Sequence, residues 1–121
     1  MRAEELYLAD MIRASHDCAR FAGEVTWETF ETSALYQAAI QYKLIVIGEA
    51  ASRVSRTLKN KHPEVEWQTI KNFRNILAHE YFSLDLEIVW DSAATRVEPL
   101  AEQIRAILRV EFPGFPIPRA E

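Results

Sequence analysis

At 121 residues, one domain is the natural expectation, and a hydrophobic share of 49% is enough for a real core and too high for a disordered chain. Only three glycines and no Asn-Gly or Asp-Gly pair argue against an all-β fold. A net charge of −4 does not mark a nucleic-acid binder, a lone cysteine (Cys18) excludes an intrachain disulfide, and the longest strongly apolar run, Leu44 to Ile47, is far too short to span a bilayer.

Leu8, Met11, Ile12, Ser15, Ala19 and Ala22 recur at spacings of mostly three and four, which predicts an amphipathic helix over about 3–22, ended by Gly23. Thr26 is placed to cap a short helix at about 27–32, without the glutamate or glutamine three residues on that completes a capping box. Ile40, Leu44, Ile47, Ala51, Val54 and Leu58 predict one long helix over about 33–60. Its middle is apolar nearly all round, as expected of a helix buried in the domain or in a subunit interface, and Gly48, Ala50 and Ala51 would let a partner helix come close. Pro63 breaks the pattern at His62, and Trp67, Ile70, Phe73 and Leu77 predict a further helix over about 65–78. A last helix is expected from about Asp85, kinked or restarted near Glu98 by Pro99. The expected architecture is all-α, an up-and-down bundle of four to five helices over residues 1–111, followed by a Pro-rich tail over 112–121 that lies extended against the body or loose.

Charge is unevenly spread. From Arg53 to Arg74 six basic residues face only Glu64 and Glu66, a surplus of four, so the remainder of the chain carries −8. Such a strip can guide a polyanion, although most charge runs are solvated helix ends. At its end stand Arg74, Asn75, His79 and Tyr81. Arginine holds phosphate through a planar fork of donors, histidine moves protons near neutrality, and a phenol positions a group or carries a modification. At about 100° per residue Arg74 and Tyr81 share a face, whereas Arg74 and His79 are about 140° apart. Either the helix ends near Ala78 and His79 swings back, or two chains assemble the site. The plainer reading is also open: His79 suits a helix C-terminus electrostatically, and Arg74 suits pairing with Glu80 or another carboxylate.

Arg74, four residues, His79, one residue, Tyr81 resembles the Arg-x4-His-x-Tyr motif of HepT-like toxins in the HEPN superfamily, and Asn75 fits the polar residue that often follows the arginine there. Ile47-Gly48-Glu49-Ala50-Ala51 is similar to the family's buried-helix signature, and Asp85-Leu86-Glu87-Ile88-Val89-Trp90 to the segment after its active site. The resemblance covers most of residues 4–110. It implies a metal-independent endoribonuclease that acts as a homodimer on RNA, leaves 2′,3′-cyclic phosphate ends, and needs no cofactor. It further implies the toxin of a type VII-like two-component system, whose nucleotidyltransferase antitoxin uses ATP to place AMP on Tyr81 and silence the site. By that resemblance Arg74 and His79 are catalytic, and Asn75 and Tyr81 support them. Two readings from other classes remain: a non-catalytic helical partner modified by the nucleotidyltransferase, and a nucleotide-binding module.

Of the other polar residues, Glu49 stands inside the most apolar helix, where it either pairs with an arginine such as Arg53 or serves the cleft or an interface. His16 and His62 have no metal-ligand spacing with each other or with His79, so no metal is expected. His16 is expected on a polar helix face, Cys18 as a small buried residue, and Trp67 and Trp90 in the core. No secretory leader is apparent, and a cytoplasmic protein without membrane contact is expected.

Overall fold

The computed structural model describes residues 2–119, apart from the side chain of Tyr81. In chain order it contains α1 (Glu4–Gly23), α2 (Trp27–Thr32), α3 (Ala34–Ser52), α4 (Arg56–Lys61) and α5 (Trp67–His79). A 3-10 turn (Tyr81–Ser83), α6 (Leu86–Asp91), a π-helical turn (Ser92–Arg96) and α7 (Val97–Glu111) follow. The last three run on without a break and form one kinked rod. Among the described residues there is no strand, and no helix is long and apolar enough to cross a membrane.

α1 packs on α3 and α7, and α3 also packs on α5. Glu4 reaches Ser55, Asp17 reaches Lys43 and Cys18 reaches Ile40, so α1 and α3 run antiparallel. The core forms where their stripes meet: Leu8, Met11, Ile12, Ile40, Ile104 and Ile107 are fully buried. Side-chain oxygens set several helix starts. The hydroxyls of Thr26, Ser33 and Ser55 accept from the backbone N–H three residues on, and the Asp85 carboxylate accepts from Glu87 N–H.

Two boundaries depart from the periodicity. The helix expected over 33–60 is broken between Ser52 and Arg56. Arg53 N–H and Val54 N–H close the first helix on Ala50 and Ala51, and the Ser55 hydroxyl starts a second by capping Leu58. Val54 and Leu58 stay buried because the chain turns back onto the same core, so the apolar spacing persists across the break. The kink expected at Glu98 is realised about one turn upstream, in the π-helical turn. Pro99 has no N–H and its ring crowds the carbonyl four residues back, at Thr95. The wider turn absorbs that mismatch, and the hydroxyls of Ser92 and Thr95 bond the carbonyls of Ile88 and Asp91.

The tail is docked. Phe115 N–H closes a turn on Phe112 carbonyl, with Gly114 at φ +94°, and Phe112, Phe115 and Ile117 pack against the core.

Candidate functional site

α5 begins at Trp67, whose indole N–H donates to His62 carbonyl at 2.9 Å, and ends at His79, where Glu80 N–H still closes on Ile76 carbonyl. Leu77 on this helix is buried, and Ile70 and Phe73 pack on the core around it. Arg74 points toward α3 instead. A β-carbon added at Gly48 would lie 2.5 Å from Arg74 Cγ and closer still to its Cβ. Gly48 is therefore the residue that lets α5 approach α3 at the level of the motif arginine.

That approach brings Arg74 and Glu49 together. The Arg74 guanidinium donates to Glu49 Oε1, with the arginine side chain 21% exposed and the glutamate 49% exposed. Glu49 thus pairs across helices with Arg74, so neither a Glu49–Arg53 nor an Arg74–Glu80 pair is the one formed. Arg74 Nε is buried without a hydrogen-bond partner, so the guanidinium keeps donor capacity after Glu49 is satisfied. Asn75 is half-buried. His79 is exposed and has no side-chain hydrogen bond or ion pair among the described residues. The helix continues through His79, so His79 does not swing back to Arg74 within one chain. The structure joins Arg74 with Glu49 and Gly48, and leaves His79 on a separate face. Tyr81 opens the 3-10 turn directly after the helix; its phenol, the candidate modification site, lies outside the described residues.

Gly48 could be found from the sequence only as one of three small residues awaiting an unnamed partner helix; that partner is α5. A large cavity lies away from these groups. It is an open groove of about 890 Å³ between α5 and the α6–α7 rod, with Phe73 and Ile76 on one wall and Ile88 and Leu100 on the other.

Elsewhere, three expectations gain detail. His62, given no metal-binding role by its spacing, is clamped by two carboxylates: Nε2 is 2.7 Å from Glu111 and Nδ1 is 3.0 Å from Glu64. Burial pulls the imidazole pKa down, yet the hydrogen bonds to Glu111 and Glu64 outweigh it and hold it above its ordinary value. His16 lies not on a polar face but between α1 and α7, its side chain 11% exposed, with Nε2 accepting from Arg105. Cys18 is buried, and that burial pushes its thiol pKa up to about 12. Among the described residues, no three His, Cys, Asp or Glu side chains converge as a metal site.

The family model described as Ribonuclease HepT-like matches residues 11–107. A Methanocaldococcus jannaschii protein named "Putative RNase MJ0127" is 30% identical over 85% of each chain. A Thermococcus cleftensis protein named "Probable ribonuclease HepT" is 29% identical over 82% of this chain and 90% of its own. A third relative, "Putative RNase TTE0752" of Caldanaerobacter subterraneus, is 26% identical over 92% of this chain and 99% of its own. No solved structure matches significantly. The match runs from within α1 to within α7 and includes the whole Arg74–Tyr81 segment, and on that ground the chain belongs to the HepT-like ribonuclease family.

Proposed function

We propose that this chain is a metal-independent endoribonuclease that works as a homodimer in the cytoplasm. The observation that carries this reading is the division of labour on α5: a guanidinium held by Glu49 against Gly48, and an imidazole left exposed at the helix end. Each chain alone lacks the pairing of the two groups, and a two-fold axis near the end of α5 supplies it with a second His79. The outer face of α3 offers apolar surface for such a contact, with Leu35 74% exposed and Tyr42 63% exposed.

In the reaction the RNA 2′-hydroxyl attacks the adjacent phosphorus. One His79 takes its proton, His79 of the second copy protonates the departing 5′-oxygen, and the P–O5′ bond breaks to leave a 2′,3′-cyclic phosphate. Each proton transfer contributes on the order of 10²–10⁴-fold. Arg74 meets the charge that builds on the phosphorane-like centre through the outer guanidinium nitrogens beside Glu49. Asn75 holds the phosphate or orients His79. Tyr81 positions substrate, since a free phenol titrates near about 10 and is a poor base at neutral pH. Arg56, Lys59 and Lys71 carry the incoming strand electrostatically: Lys59 sits 5.8 Å over the Trp67 ring, and burial, then Lys71 and Arg56, hold its ammonium below its ordinary pKa.

The same reading makes the chain the toxin of a two-component system. A nucleotidyltransferase partner would transfer AMP from ATP to the Tyr81 hydroxyl with release of pyrophosphate. The added anion beside the cleft would repel the RNA phosphate and occupy its place.

The test is RNA cleavage by the purified chain in chelator. His79→Ala is expected to lower the rate by on the order of 10²–10⁴-fold without loss of fold, because the side chain is exposed, and the parent's products should carry cyclic-phosphate ends. Parental rates in both His79→Ala and Arg74→Ala would remove the assignment. AMP on Tyr81 with no RNA cleavage by the unmodified protein would favour a bound scaffold in its place.

A further inference from the structure

The groove between α5 and the α6–α7 rod has no role in the ribonuclease reading. It is large, about 890 Å³, near the upper end of the range for ligand pockets, and it is open to solvent along its length. Its floor is apolar. Leu44 and Ile47 of α3 form it, between Ile70 and Phe73 of α5 on one side and Leu100 of α7 on the other. Two large aliphatic side chains on its lips are left in water: Ile76 is 40% exposed and Ile88 54% exposed. Isolated exposed aliphatics are ordinary, but two facing each other across an apolar trough are not.

The rim is acidic. Glu64, Glu66, Asp85, Glu87 and Asp91 line it, against one basic residue, Arg96. Arg96 is already paired with Asp91 at 3.1 Å, Asp85 is engaged in capping α6, and Glu64 with His62. Glu66 and Glu87 are exposed on opposite sides, near the two ends. This charge repels a nucleic-acid backbone. It also opposes an isologous contact with a second copy, in which each acidic rim would meet itself. The α5 wall is a 13-residue helix, so the trough matches a helix of about three and a half turns.

We propose that this groove is a protein-docking site for a cationic amphipathic helix of a partner, its apolar stripe on Phe73, Ile76, Ile88 and Leu100 and its lysines or arginines facing Glu66 and Glu87. The apolar trough supplies the contact area, and the rim supplies orientation and selects against acidic helices. The site lies on the opposite flank of α5 from Arg74, so a partner can occupy it without touching the Arg74–Glu49 pair.

The proposal is tested with the intact chain and a fluorescein-labelled peptide of about 14 residues, leucines at helical spacing and lysines elsewhere, by fluorescence anisotropy. Two controls accompany it, one with glutamate for every lysine and one with the same lysines but serine for every leucine. The leucine–lysine peptide should bind and the two controls should not. Glu66→Lys with Glu87→Lys should weaken it by at least about tenfold, and Ile76→Ser with Ile88→Ser by a similar factor. All four side chains are exposed, so folding should survive, and a circular dichroism spectrum checks it. Equal binding of the serine control, or parental affinity in both double variants, would overturn the docking site. Light scattering supplies a further arm: if Ile76→Ser with Ile88→Ser turns a dimer into a monomer, the groove belongs to a second copy and the proposal fails. None of these readouts depends on RNA cleavage, so they stand or fall apart from the ribonuclease reading.

Discussion

The two flanks of α5 are built from the same thirteen residues and end up as opposites. On one flank Arg74 is pressed so close to α3 that only glycine fits at position 48, and its charge is met by Glu49. On the other flank Phe73 and Ile76 look across open space to Ile88 and Leu100, under an acidic rim. An amphipathic stripe specifies which side chains avoid water, but not whether a neighbouring helix arrives to cover them. α3 arrives because Gly48 allows it. The last rod is committed elsewhere: the Trp90 ring of α6 packs at a tilt on Phe30 at 5.1 Å and on Trp27 at 6.4 Å, and α7 packs on α1.

This contrast can be broken by mutation. The largest expected difference lies between adjacent positions of α5. Leu77→Ala removes a buried side chain and should cost about 2–5 kcal/mol, whereas Ile76→Ala on the groove lip should stay within about 1 kcal/mol. Urea unfolding of the two variants measures this, and equal costs would mean that the groove is closed in solution. Next comes the seam. An alanine usually stabilises a helix interior relative to glycine by up to about 1 kcal/mol, but Gly48→Ala meets the Arg74 stem and should destabilise by about 1–3 kcal/mol while RNA cleavage falls with it. A stabilised Gly48→Ala with parental cleavage would show that the close approach is not needed.

Glu49→Gln should have a smaller effect on stability, at most about 1 kcal/mol, because the pair is partly exposed. Its signature is kinetic: loss of a carboxylate beside the phosphate site should lower KM for RNA, while loss of the tether on Arg74 lowers kcat. A change in neither would detach the pair from the reaction.

The smallest effect concerns the far end of α7, where Lys61, Glu64 and Glu111 surround His62. The folded-state pKa of His62 is raised, so its contribution is fully present below the unfolded value of about 6.5 and is lost as pH rises through the folded value. The Glu111 and Glu64 carboxyls are lowered, Glu111 chiefly by its hydrogen bond to His62 and Glu64 by a backbone hydrogen bond, so their contribution is lost as pH falls through their folded values. The clamp is therefore strongest between the carboxylate range and about pH 6.5. Thermal melts of the parent and His62→Gln should differ most near about pH 6 and converge by about pH 8.5. A constant difference would leave His62 as packing alone.

Much of the bundle was legible because helix formation here follows local rules. The spacing of Leu8 to Ala22, the cap at Thr26, the helix start near Asp85 and the break at Pro63 all act within a turn or two of the chain. The continuous spacing through Val54 and Leu58 misled, since a chain that leaves a helix and re-enters the same core keeps its apolar rhythm. The candidate site was half legible. Helical phase alone separates Arg74 from His79, and the motif marks both.

The sequence by itself determined the all-α class, the buried stripes and the kink-forming proline, because periodicity, capping and the missing proline N–H are properties of consecutive residues. Only the tertiary structure decided that Glu49 belongs to Arg74, that Gly48 is the contact permitting it, that Glu111 at the end of α7 closes on His62, and that one flank of α5 stays open. Each of these depends on which helices meet and how closely. That is fixed by packing between residues 25 to 49 positions apart, for which no local spacing carries a signal.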